Sequence, residues 1–517
     1  MYIARIITKN ISTSFLVVCL GALATSAANE PLSLFALAWI GLTPLWLVIL
    51  KHPNDRQKIF LYSLAWGYLF HGCSLFWITD THPMTWAGIS WLYSLLFTLC
   101  YWSIISSLGG VFLAIWTWCL RLVVVRKYSW FTQVVVAASL WSVLETLFQQ
   151  TSFWWTSLSL TQSPNNLWLL QLNKISGPAT TVVLIVAING LFANLIYVNS
   201  NRLKAKLTKI TLSILLLAHL IGGVIYYLPA YSSESLSIGI IQGDIPFKIK
   251  QKVEGWNLAL TRYSQGYQNL IEQGAEGVIT PESAFPPLYI FENIENIPQL
   301  KAVKSSQVPF WIGIKTGDRQ NPRQSLIAIG ESGITERYDK QKLVLFHETI
   351  PFFNTPLQPL IKKIYLFKAH HLAGSQGQQF NTPYGKAGVI ICYESAYPQI
   401  LLPQIRSGGR FILAATADGL FGESMMKQHH AQDVLRAIET DRWLVRANSR
   451  ASSGVIDHKG NTIWISSSGY ITHKAQIGLR DFQTIYVRFG DWVTPLLLLV
   501  SCYLLTKRKR KKNLLHL

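Results

Sequence analysis

Apolar residues run almost unbroken through the first 229 positions, then give way to short stretches that alternate with polar ones. Eight apolar spans are long enough, or nearly so, to cross a bilayer core of about 30 Å: 11–28, 32–50, 58–78, 89–119, 130–148, 178–198, 209–229 and 491–506. The Ala-rich end of the first resembles a signal-peptide cleavage site, but a second span follows almost at once, as in a helical hairpin. Between 230 and 490 the pattern is different. Short β-branched runs at 236–243, 277–280, 308–314, 325–329, 336–342, 388–391 and 411–415 read as strands. Amphipathic stretches at 254–273 and 428–442 read as helices. Strands and helices mixed in this way suggest a sheet-based α/β layer domain.

Composition agrees with a polytopic membrane protein that carries a soluble domain. Half of the 517 residues are hydrophobic and 14% are charged, against about a quarter in soluble domains. The net charge of +20 invites a nucleic-acid partner, but its distribution argues against one. Eighteen basic residues sit on one set of loops and in the tail from Lys507 to Lys512, whereas the short loops on the other side carry only Lys174. By the positive-inside rule both termini are cytoplasmic. Seven crossings then place 230–490 on the outer face, where 27 Lys and Arg oppose 21 Asp and Glu. The expected organisation is a seven-helix transmembrane domain at 1–229, an extracytoplasmic domain at 230–490, an eighth helix at 491–506 and a basic cytoplasmic tail at 507–517.

Details within the apolar half have both bland and functional readings. Trp86, Trp91, Trp154, Trp155 and Trp168 lie at segment ends and read mostly as an interfacial aromatic belt. The loop 151–164 is too short to span and too apolar to float, so it reads as a re-entrant or interfacial piece facing the outer domain. Glu145 is an intramembrane acid near one end of its span, placed to pair locally. The Pro-rich, apolar segment 346–374 either lies against the bilayer or packs on its own domain.

Candidate chemistry begins with a cysteine count. Five of the six cysteines (Cys19, Cys73, Cys100, Cys119 and Cys502) fall in apolar spans, which leaves Cys392 alone in the hydrophilic part with no disulfide partner. Taken singly, a strand that ends on cysteine delivers either a small buried hydrophobe or a reactive thiol. Two further segments share its grammar: Gly277-Val-Ile-Thr-Pro-Glu282 ends on a carboxylate and Arg337-Tyr-Asp-Lys340 on an amine. Each alone is an ordinary solvated strand end. Together they make an acyl-transfer site, since strand ends are where distant segments of an α/β sheet converge. Glu282 would be general base, Lys340 would lower the thiol pKa and stabilise a tetrahedral oxyanion, and Cys392 would form a thioester. No metal or cofactor site is legible. His429 and His430 are adjacent on a helix and point apart, and His370-His371 lack ligand spacing.

Pro281-Glu282-Ser283, the run Tyr338-Asp-Lys340-Gln-Lys-Leu through Glu348, and Cys392-Tyr393-Glu394-Ser395 resemble the Glu–Lys–Cys signature of the carbon–nitrogen hydrolase (nitrilase) superfamily. With seven spans before that domain and one after, the whole chain resembles the apolipoprotein N-acyltransferase family. The resemblance implies an αββα sandwich, the triad Glu282, Lys340 and Cys392, and supporting roles for Glu348, Tyr393 and Glu394. It further implies a bacterial inner-membrane enzyme that needs no cofactor or metal. Such an enzyme takes an acyl chain from a membrane phospholipid and passes it to the α-amine of a diacylated apolipoprotein cysteine, completing lipoprotein maturation. Positions Gln251, His347, Ala417, Leu420 and Arg450 depart from the family's pattern around the pocket. Two other readings use the same residues differently: a membrane-tethered amidohydrolase with water as acceptor, and a transporter or scaffold whose outer domain only binds. Few charges lie in the spans, which speaks against a transport path.

Overall fold

The structure is a computed structural model that describes residues 11–229, 232, 234–246, 248–250, 252–288, 297, 300–345, 347–349 and 370–513. Its first half is helical, with Trp91–Val125, Trp130–Phe148, Pro178–Tyr197 and Asn201–Tyr227 long and apolar enough to cross a membrane. Ile11–Ala27, Arg56–Ser74 and Val493–Asn513 pack beside them. The helices Arg56–Ser74 and Trp91–Val125 touch backbone to backbone at Gly67, where an added Cβ would lie 2.3 Å from the Gly109 carbonyl oxygen. Small residues permit this close crossing in place of hydrophobic exclusion, which lipid does not supply.

One expected span is not a single helix. Positions 32–50 divide into a 3-10 turn, Phe35–Trp39, and a nine-residue helix, Thr43–Lys51. At about 1.5 Å per residue, the latter covers less than half of a bilayer core. The break is stabilised by Asn189, whose Oδ1 accepts from the Leu42 and Thr43 amides at 2.9 and 3.0 Å. A polar side chain thus satisfies backbone donors that a continuous helix would have paired. Elsewhere charged flanks join the helices. Asn201–Tyr227 takes in Arg202, Lys204, Lys206 and Lys209, and Val493–Asn513 takes in most of the basic tail.

Beyond residue 233 the chain builds two six-stranded sheets. In chain order the strands are β1 (Glu234–Gln242), β2 (Gly277–Ile279), β3 (Phe310–Gly317), β4 (Pro322–Gly330), β5 (Gly333–Asp339), β6 (Phe380–Thr382), β7 (Gly385–Ile391), β8 (Gly409–Thr416), β9 (Leu444–Asn448), β10 (Gly454–Ile456), β11 (Thr462–Ile465) and β12 (Ile471–Leu479). One sheet runs β12-β1-β2-β3-β4-β5 and the other β11-β10-β9-β8-β7-β6. Their inner faces meet in an apolar layer that includes Ile240, Trp311, Tyr338, Val389, Phe411 and Val445. The helix Val253–Glu272 covers the first sheet through Tyr263, Tyr267 and Leu270. Leu401–Arg406 and Glu423–Thr440 cover the second. The layers are helix, sheet, sheet, helix.

The helix Glu423–Thr440 is buried along nearly its whole length although many of its residues are polar. Its outer face is covered by the membrane half, and Trp154, Trp155, Leu160 and Leu170 share one apolar cluster with Met425, Val434, Leu435 and Ile438. Trp154 and Trp155 therefore belong to no exposed aromatic belt. Both are buried, and their indole N–H groups donate to the Ala396 carbonyl at 3.0 Å and to Gln428 Oε1 at 2.9 Å. The loop 151–164 is the seam that joins the two halves. Glu145 is held at the same seam by Trp141 Nε1, Ser157 Oγ and the Leu158 amide, at 2.9, 2.7 and 3.1 Å. The segment 346–374 lies largely outside the described residues.

Candidate active site

Three strand ends converge. Glu282 follows β2 in a turn that crosses β3 at Gly313, where an added Cβ would sit 2.0 Å from the Pro281 carbonyl oxygen. Lys340 follows β5, and its amide donates to the Gln324 carbonyl at 2.8 Å. Its ammonium, almost wholly buried, donates to Glu282 Oε1 and to Glu348 Oε1, each at 2.9 Å. The second oxygen of Glu348 accepts from the Val344 amide at 2.8 Å. Burial by itself would lower the Lys340 pKa. The charges of Glu282 and Glu348 outweigh burial and hold the amine well above its usual pKa.

Cys392 directly follows β7 with φ of +51°, the left-handed region that costs a non-glycine residue strain. Glu394, buried beneath that turn, accepts from the amides of Ile391, Gln341 and Lys342 at 2.8, 2.6 and 3.2 Å, and from the Tyr338 hydroxyl at 3.1 Å. It thereby ties the residues just after Lys340 to the turn that carries the thiol. Tyr393 faces the other way. Its ring stacks on Trp155 at 5.8 Å between centroids, and its hydroxyl donates to the carbonyls of Ser152 and Trp154 at 3.0 and 2.6 Å.

A buried network stands behind the thiol that the sequence reading did not connect to it. Asp418 accepts from Asn448 Nδ2 at 2.9 Å and from His429 Nδ1 at 3.0 Å, and the Cys392 sulfur lies 3.9 Å from its Oδ1. The other His429 nitrogen is 3.0 Å from the Cys392 carbonyl oxygen. Both ring nitrogens thus face acceptors, which favours imidazolium. Burial opposes that charge, but Asp418 raises the His429 pKa above its ordinary value. Positions 392, 418, 429 and 448 lie on separate elements, so no spacing in the sequence announces their meeting. His430 points away, to Thr462 Oγ1 at 2.8 Å and to Arg446. Among the described residues no group of three His, Cys, Asp or Glu is arranged to hold a metal ion.

Burial and the Glu282 charge push the Cys392 thiol well above its usual range, and the pull of Lys340 in the opposite direction is weaker. Lys340 does pull the thiol pKa down, as expected, but burial and Glu282 outweigh it, and the thiol rests protonated. A base must remove the proton, and the Glu282 charge is close enough to be felt at the sulfur. The backbone N–H of Ala417 also faces the sulfur. All these groups border one cavity of about 1010 Å³. Its lining includes Cys392, Glu282, Lys340 and Glu348 together with Leu75, Ile78, Phe97, Tyr101 and Ile105 from the membrane half. Of the positions that depart from the family pattern, His347, Ala417, Leu420 and Arg450 line the cavity, as does Trp256; Gln251 lies outside the described residues.

This architecture and site define a class. The family model described as "Carbon-nitrogen hydrolase" matches residues 238–488, so the two-sheet half is a nitrilase-like αββα domain. The model described as "Apolipoprotein N-acyltransferase N-terminal domain" matches residues 21–191. A Nostoc protein named apolipoprotein N-acyltransferase is 42% identical over 479 residues, covering 91% of this chain and 95% of its own. A Synechocystis protein of the same name is 38% identical over 504 residues, covering 92% and 96%. The chain belongs to the apolipoprotein N-acyltransferase family.

Proposed function

We propose that this protein moves an acyl chain from a membrane phospholipid to the α-amine of an S-diacylglyceryl cysteine at the N-terminus of an apolipoprotein. One observation carries the reading: a thiol and a carboxylate-clamped lysine line one cavity together with apolar side chains of the membrane half. In the first half-reaction Glu282 takes the Cys392 proton and the sulfur attacks the ester carbonyl. Lys340, with the Ala417 N–H, stabilises the oxyanion. Collapse expels the glycerol oxygen, which receives the proton from Glu282 and leaves as lysophospholipid. In the second half-reaction the lipoprotein amine attacks the thioester and Glu282 accepts its proton. The departing Cys392 sulfur then recovers that proton, and the amide is released.

Glu348 holds Lys340 in place, and Glu394 and Tyr393 fix the nucleophile's turn against the lysine loop and the membrane half. Both termini lie in the cytoplasm and 230–490 on the outer face of a bacterial inner membrane, a placement supported by the distribution of basic residues. An amidohydrolase using water would not need the apolar wall, which instead gives a chain a place to lie at about 0.8 kcal/mol per buried methylene and keeps water from the thioester. In cells lacking the native activity, Cys392→Ala should leave lipoproteins with free N-termini. Full N-acylation by that variant would refute the mechanism.

A further inference from the structure

The cavity has a second chemical character that neither the acyl chain nor the lipoprotein amine explains. Besides Lys340, it is lined by Lys248, Lys250, Lys315, Arg319 and Arg450. Its carboxylates are Asp244, Glu282 and Glu348, and the last two are engaged with Lys340. Among the described residues none of those five cations has an ion-pair partner.

Lys250, after β1, and Lys315, on β3, are both half-buried and lie close enough for Lys315 to depress Lys250. Burial first, and this repulsion after Glu282's opposing pull, bring Lys250 down to about 8. Both lysines feel the Glu282 charge; Lys250 also feels the Cys392 sulfur, and Lys315 feels Glu348. Two partly desolvated, mutually repelling ammonium groups beside a nucleophile are unfavourable alone. They are satisfied by a shared anion that arrives with the substrate.

Resting on the function proposed above, we infer that Lys250 and Lys315, with Arg319 and Arg450 at the rim, form a headgroup subsite that selects a net-anionic glycerophospholipid as acyl donor. The donor's phosphate is separated from the reacting ester only by the glycerol backbone, so an ester held at Cys392 brings the phosphate to the cations that line the same cavity. A headgroup that carries its own ammonium, such as a choline ester, would add a cation to a wall already short of anions. A glycerol headgroup adds none.

Internal competition tests this. The full-length enzyme, in micelles of a neutral detergent and in phosphate-free buffer without acceptor, receives equimolar phosphatidylglycerol and phosphatidylcholine with acyl chains of different mass. The adduct on Cys392 is weighed, and the chains are then exchanged between headgroups. Both lipids meet the same enzyme in the same micelle, so surface charge cancels and the lipid is the only phosphate source. The expected result is roughly tenfold more adduct from the anionic donor. In K250Q/K315Q the ratio should fall toward one, whereas K250R/K315R, which keeps both charges, should retain most of it. A ratio near one in the unmodified enzyme overturns the inference. So does a ratio that survives in K250Q/K315Q, or an equal loss of both adducts in that variant. No adduct from either lipid overturns both this inference and the function on which it rests.

Discussion

Glu394 lies two residues from Cys392 in sequence, yet its carboxylate is turned into the protein, where three amides and a tyrosine hydroxyl surround it. Burial raises its pKa from 4.5 to about 7 against the pull of those amides. The folded state therefore keeps a proton that the unfolded chain releases. The resulting contribution to stability falls as pH rises from about 4.5 to about 7 and is flat above, a loss of about 3 kcal/mol for one fully buried group. A Glu394→Gln variant has no such proton to lose. Its thermal midpoint in detergent, relative to the unmodified protein, should rise between pH 5 and pH 8, and a constant difference would contradict this account. Residues of this kind are only partly legible. Glu282, Lys340 and Cys392 stand out because each ends a β-branched run with a reactive group. Asp418, His429 and Asn448 do not, because their chemistry comes from contacts between elements that the sequence holds apart.

The helix Glu423–Thr440 carries the connection between membrane and site. Gln428 accepts from the indoles of Trp77 and Trp155 at 3.1 and 2.9 Å and donates to the carbonyls of Glu30 and Ser74 at 2.9 and 2.8 Å. One residue further, His429 faces the Cys392 carbonyl. Gln428→Ala removes four hydrogen bonds, two of them buried and two part-buried, at about 0.5–1.5 kcal/mol for each bond lost. A fall of about 2–6 kcal/mol in stability is expected, read as a lowered thermal midpoint, with Gln428→Glu between the two because it keeps the acceptor. An unchanged midpoint in the alanine variant would show that the seam is held elsewhere. The helix itself was readable from its pattern, but its burial on every side was not, because its polar face meets a partner from the other half of the chain. The short strands β6, β10 and β11 were missed for a related reason: runs of three or four residues take their strand character from their neighbours. The break inside 32–50 was hidden because its stabiliser, Asn189, lies some 150 positions away in sequence.

At the scale of the whole molecule, hydropathy and charge alone divided the chain into a helical half and a layered half, and the structure joins them through the loop 151–164. The orientation is testable. In a cysteine-free background, Asp318→Cys, on the exposed turn between β3 and β4, should react with a membrane-impermeant maleimide in intact spheroplasts. Lys507→Cys, in the basic tail, should react only after permeabilisation, and the opposite pattern would invert the topology. The central claim is chemical: Cys392 carries the acyl group between two lipid-anchored substrates. The most direct measurement is the intact mass of the purified protein after exposure to phospholipid. One acyl chain should be added, mapped to the peptide containing Cys392, and removed when a diacylated lipopeptide is supplied and gains that same mass. Cys392→Ala should acquire nothing. An adduct that persists in Cys392→Ala, or one that water removes while the lipopeptide gains no mass, would contradict the account.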